Sequence, residues 1–463
     1  MKQTETVSFL GMCRPLLLAS ACATVTPVPW LRAGGAASLL LTGIKRRRVM
    51  QSKVWCVLLI VAAVVLPAPS RGQEKPSLIL SEALALARGH NPDLLAARQD
   101  LEIARGRLVR AQYPNQFNPE ISGGGAHRHF ADGPGGSTDF DLTLLQELEV
   151  GGQRGKRIEE AKKNLAKVSQ QFKDRERLII AQVKDAFYRG LYRKRRLDLF
   201  QEVETLNRRL RDIAASRFQA GDVAKMEVNV ADVRLGQTRK DAIVARRDYR
   251  NVLQELERLL GMEPVGQLAP SGQLTVRPQS FQLDHLLQLA MENRPDLQAA
   301  ISEQQRVAAE TALTHSLIVP NPTLQAFYRQ EEGGDTIAGG ALSFPLPLFD
   351  RKQAELTQLA GRAGQVRAER RSTELRIQQE VREALRSYEA AREEITVFET
   401  TVLDQAAENF QFIETAYREG KIDLLQLVVV QNDMVSAQFS YVDSLWNYWL
   451  ARTALERAVG QDL

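Results

Sequence analysis

Cysteine is almost missing: the 463-residue chain has three, Cys13, Cys22 and Cys56, all before residue 73. Beyond that point a disulfide framework, a thiolate metal site and a cysteine nucleophile are excluded. Proline is missing between Gly135 and Glu263, and again after Pro347. An interior proline costs a helix about 3 kcal/mol or more, so these are the tracts in which helices can run uninterrupted. Long apolar runs are scarce too. The run from Val54 to Leu66 falls short of the ~20 residues that a membrane-spanning helix needs. Catalytic signatures are also missing: there is no Walker-type phosphate loop, no Gly-x-Ser-x-Gly elbow, no His-Glu-x-x-His and no Cys-x-x-Cys. Carboxylates are plentiful but spread along charged stretches, so neither an enzyme nor a cofactor is expected.

Charge of one sign is concentrated at the start. Nine basic residues and a single acid, Glu5, precede Gln73, so the net charge of +5 becomes about −3 for the rest. The basic character belongs to the leader and gives no support for nucleic-acid binding by the body. Met50-Gln-Ser-Lys53, the apolar run and Pro67-Ala-Pro-Ser70-Arg-Gly72 match the pattern of a secretory signal cut near Ser70 or Gly72. Residues 1–72 are therefore read as leader and signal, with Met50 as the expected initiator. Cys56 precedes the apolar run, where a lipid-attachment cysteine cannot lie, and Cys22 in Leu18-Ala-Ser-Ala-Cys22 is a poor match.

What is present is a repeat. Leu80-Ser-Glu-Ala-Leu84 through Asn91-Pro92-Asp93-Leu94 matches Leu283-Asp-His-Leu-Leu287 through Arg294-Pro295-Asp296-Leu297, at an offset of 203. Phe218-Gln-Ala-Gly221 matches Tyr417-Arg-Glu-Gly420, and Glu257-Arg258 through Gly261 matches Glu456-Arg457 through Gly460, at an offset of 199. The four-residue slip is expected in the Gly-rich stretches between. Two copies of this size are a duplication, not a solenoid, whose periods are about 20–50 residues.

Within the second proline-free tract, Ile377, Val381, Ala384, Tyr388, Ala391, Ile395, Phe398 and Val402 recur with coiled-coil-like spacing. Leu165, Val168, Phe172, Ile179, Val183 and Ala186 make a comparable stripe in the first. The sharp breaks are Gly221 and Gly420, and glycine just past a helix end takes the left-handed conformation cheaply. Each copy thus reads as a helical hairpin. The first repeat spans 73–261, with an opening helix, a β-hairpin at 119–149, a long helix at 152–218 and a returning helix at 222–261. Residues 262–280 are the linker. The second repeat spans 281–463, with a β-hairpin at 322–347, a long helix at 350–418 and a returning helix at 421–460. The β assignments rest on alternation in Thr138-Asp-Phe140-Asp-Leu142-Thr-Leu144 after the turn Asp132-Gly-Pro-Gly-Gly136, and on Thr323 to Arg329 and Ile337 to Leu346 around Glu332-Gly-Gly-Asp335. Strands of this length cross an outer membrane when tilted. Four strands cannot close a barrel, for which about eight are the practical minimum, so other subunits must contribute.

This order of Asn/Arg-Pro-Asp-Leu helix, Asn-Pro, short β-hairpin, long helix, glycine turn and returning helix, twice over residues 77–463, resembles the TolC-like outer-membrane efflux proteins. Phe344-Pro-Leu-Pro-Leu-Phe349-Asp350-Arg351 is similar to the strand-to-helix junction of the heavy-metal branch, of CzcC and CusC type. The resemblance implies a mainly α fold with a small β part: a homotrimer whose helical hairpins form an α-barrel tunnel through the periplasm, topped by a 12-stranded barrel in outer-membrane lipid. It implies a periplasmic adaptor and an inner-membrane pump of the RND type as partners. Metal cations or small toxic compounds are the implied cargo. The tip turns, with Phe218, Gly221, Asp222, Tyr417, Gly420 and Lys421, are the implied adaptor contacts. Some relatives carry acidic residues six and nine positions after the second tip glycine. Gln426 and Val429 stand there, whereas Glu227 lies six after Gly221, so Glu227, with Gln426 opposite, is the candidate constriction.

Plainer readings stand beside these. Glu227 fits an ordinary solvated carboxylate. His127 and His129 share a strand face and so form a candidate metal pair, or they are lumen or loop residues. Arg154, Lys156 and Arg157 suit a membrane boundary, where long basic side chains snorkel, or a plain basic helix start. A type I protein-secretion channel and a periplasmic coiled-coil adaptor remain rival functions.

Overall fold

In the computed structural model the described residues are 77–129, 131–276, 279–331 and 334–463. The leader, the initiator, the cleavage site and the three cysteines lie outside them. Described elements run β1 (Ser77–Leu78), α1 (Leu80–His90), α2 (Pro92–Ala111), β2 (Glu120–His129), β3 (Gly136–Glu147), α3 (Gln153–Ala220) and α4 (Lys225–Leu259). Next come β4 (Ala269–Pro270), α5 (Leu283–Asn293), α6 (Pro295–Ser316), β5 (Thr323–Gln330), β6 (Thr336–Ser343), α7 (Gln353–Val397), α8 (Leu403–Arg418) and α9 (Leu424–Val459). The fold is mainly helical with a small sheet. None of the described helices is long and apolar enough to cross a membrane.

Each opening helix is in fact two, because Pro92 and Pro295 start α2 and α6 at the first helical position, where the missing N–H costs nothing. Asn91 caps the break. Its side-chain oxygen accepts from the Leu94 N–H and its Nδ2 donates to the Leu259 carbonyl at 2.8 Å, fixing the corner to the end of α4. Arg294 takes that place in the second copy, 2% exposed, donating to Asp296, Glu380 and the Ala458 carbonyl.

Helix α3 has 68 residues, about 100 Å at 1.5 Å per residue. The second copy differs. A π-helical turn, Phe398–Val402, separates α7 from α8, so the single helix expected over 350–418 is interrupted. The apolar seam stops there as well: Ile377 through Ile395 are buried, while Phe398 and Val402 are only partly so. A π turn advances the chain by more than 3.6 residues and rotates the succeeding helix off the stripe. The repeat slip also falls differently from expectation. Gly152 and Lys352, the residues before α3 and α7, both have positive φ and match at an offset of 200. Three of the four residues are therefore lost in the strand region, and the fourth inside the long helix.

The copies pack along α3, which lies against α6 and α9 of the second. Tyr188 stacks on Trp449 with ring centroids 4.1 Å apart and Tyr192 on Trp446 at 5.6 Å. Tyr192 and Arg196 both donate to Asp443 Oδ1, and Lys184 to Glu456 at 2.6 Å. The linker is tied down by Glu257, 1% exposed, whose carboxylate accepts the N–H groups of Gly266, Gln267 and Leu268. β4, just beyond, pairs in parallel with β1.

Nearer the sheet, Glu303 of α6 gathers Arg306, Arg362 of α7 and Lys167 of α3 within 3.2 Å. Burial raises its pKa, but hydrogen bonds from Arg306 and Arg362, with the charges of Arg306 and Lys167, outweigh burial and hold the carboxyl at about 2 against 4.5. A depressed carboxylate contributes stability that is fully present above its unfolded pKa and is lost as pH falls toward the folded value. Glu303→Gln is therefore expected to cost about 1–2 kcal/mol near neutrality after allowance for solvent screening. The deficit should shrink between roughly pH 5 and pH 3. Thermal unfolding in detergent across that range checks it; a pH-independent deficit would refute the charge account.

Candidate functional site

Two regions carry function-bearing geometry: the reversal turns and the sheet. Both turns are the same six-residue device. After α3, the Gly221 N–H donates to the Phe218 carbonyl and the Asp222 N–H to Arg217. After α8, the Gly420 N–H donates to Tyr417 and the Lys421 N–H to Ala416. Gly221 and Gly420 have φ of +85° and +72°, the left-handed step this cap requires. Helix α4 then begins at Lys225, and Asp423 caps α9 by accepting the Gln426 N–H at 2.8 Å.

The tip side chains divide by copy. Phe218 is 42% exposed, and Asp222, Lys421 and Gln426 are exposed, with Lys421 paired to Glu419. Tyr417, expected at the contact surface, is instead fully buried. The Arg217 guanidinium lies 5.1 Å over its ring and Arg217 Nη1 reaches the Tyr417 carbonyl. Glu227 is not a freely solvated carboxylate: it is half-buried, and its Oε2 and the Tyr417 hydroxyl are both shut away from solvent. The two lie close enough to interact. Burial first, and then the Glu227 charge, push the Tyr417 phenol up, against the opposing Arg217 charge.

At an offset of 199, Phe218 matches Tyr417, Glu227 matches Gln426 and Arg217 matches Ala416. Hydroxyl, carboxylate and guanidinium thus each survive in one copy and meet between copies. Arg217 was invisible to the repeat argument because its equivalent is alanine; the only available signal was that asymmetry.

The four-stranded sheet has the order β2-β3-β5-β6, all antiparallel, from strands of 8 to 12 residues. Register places Ile121, Leu144, Leu142, Phe140, Tyr328, Leu324 and Leu342 on one face, and all seven are exposed. Ser122, Asp139, Asp141, Thr143, Gln325 and Arg329 lie on the other. His127 and His129 fall on the apolar face, beyond its apolar band, and not on the polar face that would line a lumen. Arg154 and Arg157 do not snorkel: they donate to the carbonyls of Ala111, Gln112 and Tyr113, closing the end of α2, and Arg157 pairs with Glu149. No three His, Cys, Asp or Glu side chains among the described residues could jointly hold a metal. A cavity of about 880 Å³ between α3, the linker, α8 and α9 is bordered by apolar side chains such as Leu199 and Leu445, with Lys194, Arg195, Asp198 and Asp404 as its charged members.

Compared with known proteins, the chain matches the profile of a family described as "Outer membrane efflux protein" over residues 83–262 and 286–461. It is 24% identical over 386 residues to the cobalt-zinc-cadmium resistance protein CzcC of Cupriavidus metallidurans, covering 83% of this chain and 90% of that one. Among solved structures it superposes on CusC with a TM-score of 0.70 at 16% identity, covering 82% of this chain and 92% of CusC. VceC of Vibrio cholerae gives 0.70 at 17%, covering 83% and 96%. CmeC of Campylobacter jejuni gives 0.71 at 15%, covering 82% and 85%.

Proposed function

Because this chain belongs to the outer membrane efflux protein family, we propose that it is the exit duct of a tripartite efflux system, passing substrate from an inner-membrane pump and a periplasmic adaptor to the cell exterior. The observation that carries this reading is the sheet. Its outer strands β2 and β6 each pair on one side only, and one face is apolar and exposed. Lipid tolerates no open strand edge. Four strands are below the practical minimum of about eight for a closed barrel. Three copies would supply twelve and remove every edge, and the α3/α4 and α8/α9 hairpins would then form the helical tunnel on the periplasmic side.

In this assembly the tip turns meet the adaptor, through Phe218, Gly221, Asp222, Gly420 and Lys421. Tyr417 lies beneath that surface and holds the two tips of one protomer together through Arg217. Glu227 is the entrance carboxylate, held against Tyr417 in the present conformation; with Gln426 it would line the constriction when three tips converge. The pump supplies the energy, so the duct needs no catalytic group. Divalent metal cations are the proposed cargo, supported by the resistance described for the Cupriavidus metallidurans relative and by the carboxylate, not a cation, at the entrance position.

The test is the mass of the detergent-extracted protein by light scattering, together with outer-membrane fractionation. A heat-sensitive species of three chains in the outer-membrane fraction is the expected result. A soluble periplasmic monomer would overturn the duct.

A further inference from the structure

At the hairpin end of the sheet, two imidazoles stand together that the duct does not use. His127 and His129 are two apart on β2, so both project from one face. Both are exposed, with ring centroids 5.0 Å apart and ring planes at 88°. His127 is held from two sides. Its Nδ1 lies 3.2 Å from Thr138 Oγ1 on β3. Its Nε2 overhangs Gly136, where a Cβ would fall only 2.8 Å from that nitrogen. The ring thus occupies space that a side chain at Gly136 would fill. Arg128, between the two, projects from the opposite face and pairs with Asp139 at 3.0 Å, which turns its positive charge away from the imidazoles.

We propose that His127 and His129 form a chelating site for one borderline divalent cation of the zinc, cobalt or nickel kind. With a metal–nitrogen distance of about 2.1 Å and roughly 1.1 Å from nitrogen to ring centre, two imidazoles on one tetrahedral ion have centres about 5.2 Å apart. The pair therefore already has nearly the spacing that chelation needs. When Nδ1 of His127 donates its proton to Thr138 Oγ1, the Nε2 lone pair is free, and a hydrogen bond on the far nitrogen orients a metal-binding imidazole. Imidazole suits zinc, nickel and copper, whereas magnesium and calcium prefer oxygen. No third described His, Cys, Asp or Glu completes the set, so water fills the remaining positions and the ion exchanges freely. His127 lies two residues beyond Gly125, the partner of Phe140, or about 7 Å along the strand. The site is therefore above the apolar band and loads from outside, whatever the duct carries. A bound ion would brace the free end of the β2–β3 hairpin.

The experiment titrates Zn(II) into the full chain, purified in detergent without a polyhistidine tag, by calorimetry near neutral pH, with Mg(II) as the control. The expected result is one zinc per chain at micromolar concentration, no magnesium, and loss of that zinc in His127→Ala and in His129→Ala. Thr138→Val leaves both ligands in place and should weaken binding roughly tenfold through lost orientation. Thermal unfolding without metal should be unchanged in all three variants, which separates lost ligands from lost fold. Absence of zinc uptake by the wild type at millimolar zinc, or uptake unchanged in the two alanine variants, or equal binding of magnesium, would each overturn the site.

Discussion

Gly261→Ala is expected to be among the most damaging single-methyl additions in the chain. Gly261 closes α4 with φ +74°, and a Cβ there would stand 2.1 Å from the His90 carbonyl oxygen and 2.7 Å from its carbon. Those are backbone atoms, so no rotamer change can relieve the overlap. The α1/α2 corner would have to move away from the end of α4. That corner is held by the Asn91 Nδ2 to Leu259 bond and by the core of Ala83, Ala87, Leu94, Leu256, Leu259 and Leu260. The left-handed conformation alone costs alanine about 1 kcal/mol, and overpacking adds about 1–3 kcal/mol. Gly221→Ala is the internal control, because its φ is +85° but a Cβ there meets nothing within 4 Å. Unfolding midpoints in detergent should fall at least twice as far for Gly261→Ala as for Gly221→Ala; equal shifts would show that the His90 overlap relaxes at no cost.

At the tips the expected effect is on transport and not on folding. A β-branched residue is a true outlier at positive φ, so Gly221→Val combined with Gly420→Val should distort both reversals. A Cβ at Gly420 would meet Arg217 Nη2 at 3.7 Å, so the disturbance reaches the guanidinium over Tyr417. The sheet, at the far end of a helix of about 100 Å, is untouched. Outer-membrane insertion should therefore be normal while, on the proposed function, metal resistance drops to that of cells lacking the protein. Full resistance in the double variant would remove the tips from the adaptor contact; loss of insertion would mean that the turns act in folding.

The readability of this chain depends on the range of the interactions involved. Absence of proline and regular apolar spacing announced a mainly helical protein, because helix formation depends on residues three and four apart. Alternation around Gly/Pro turns announced the strands for a similar reason. The π turn at Phe398–Val402 left no such mark: neither proline nor glycine occurs in it. The one-residue difference inside the long helices is likewise invisible to motif matching, since it slips a pattern without erasing it.

Site residues divide in the same way. Gly221 and Gly420 were legible because glycine is the residue that adopts positive φ at no steric cost. Tyr417 and Phe218 looked equivalent in the repeat, yet one is fully buried and the other 42% exposed. The difference is made across the copies: Tyr417 joins an apolar cluster with Leu210, Ala214 and Ala231, and Arg217, 200 residues away, lies over its ring. Arg154 and Arg157 looked like boundary residues until α2 was seen to end within their reach. The last carbonyls of a helix lack partners within it, but which donor serves them depends on where two distant helices cross. By itself the sequence determined the duplication, the helical and strand tracts and the turn glycines, all set by neighbours along the chain. Only the tertiary structure decided which side chains of one copy complete a contact in the other, because burial and charge pairing across some 200 residues exist only once the helices have packed.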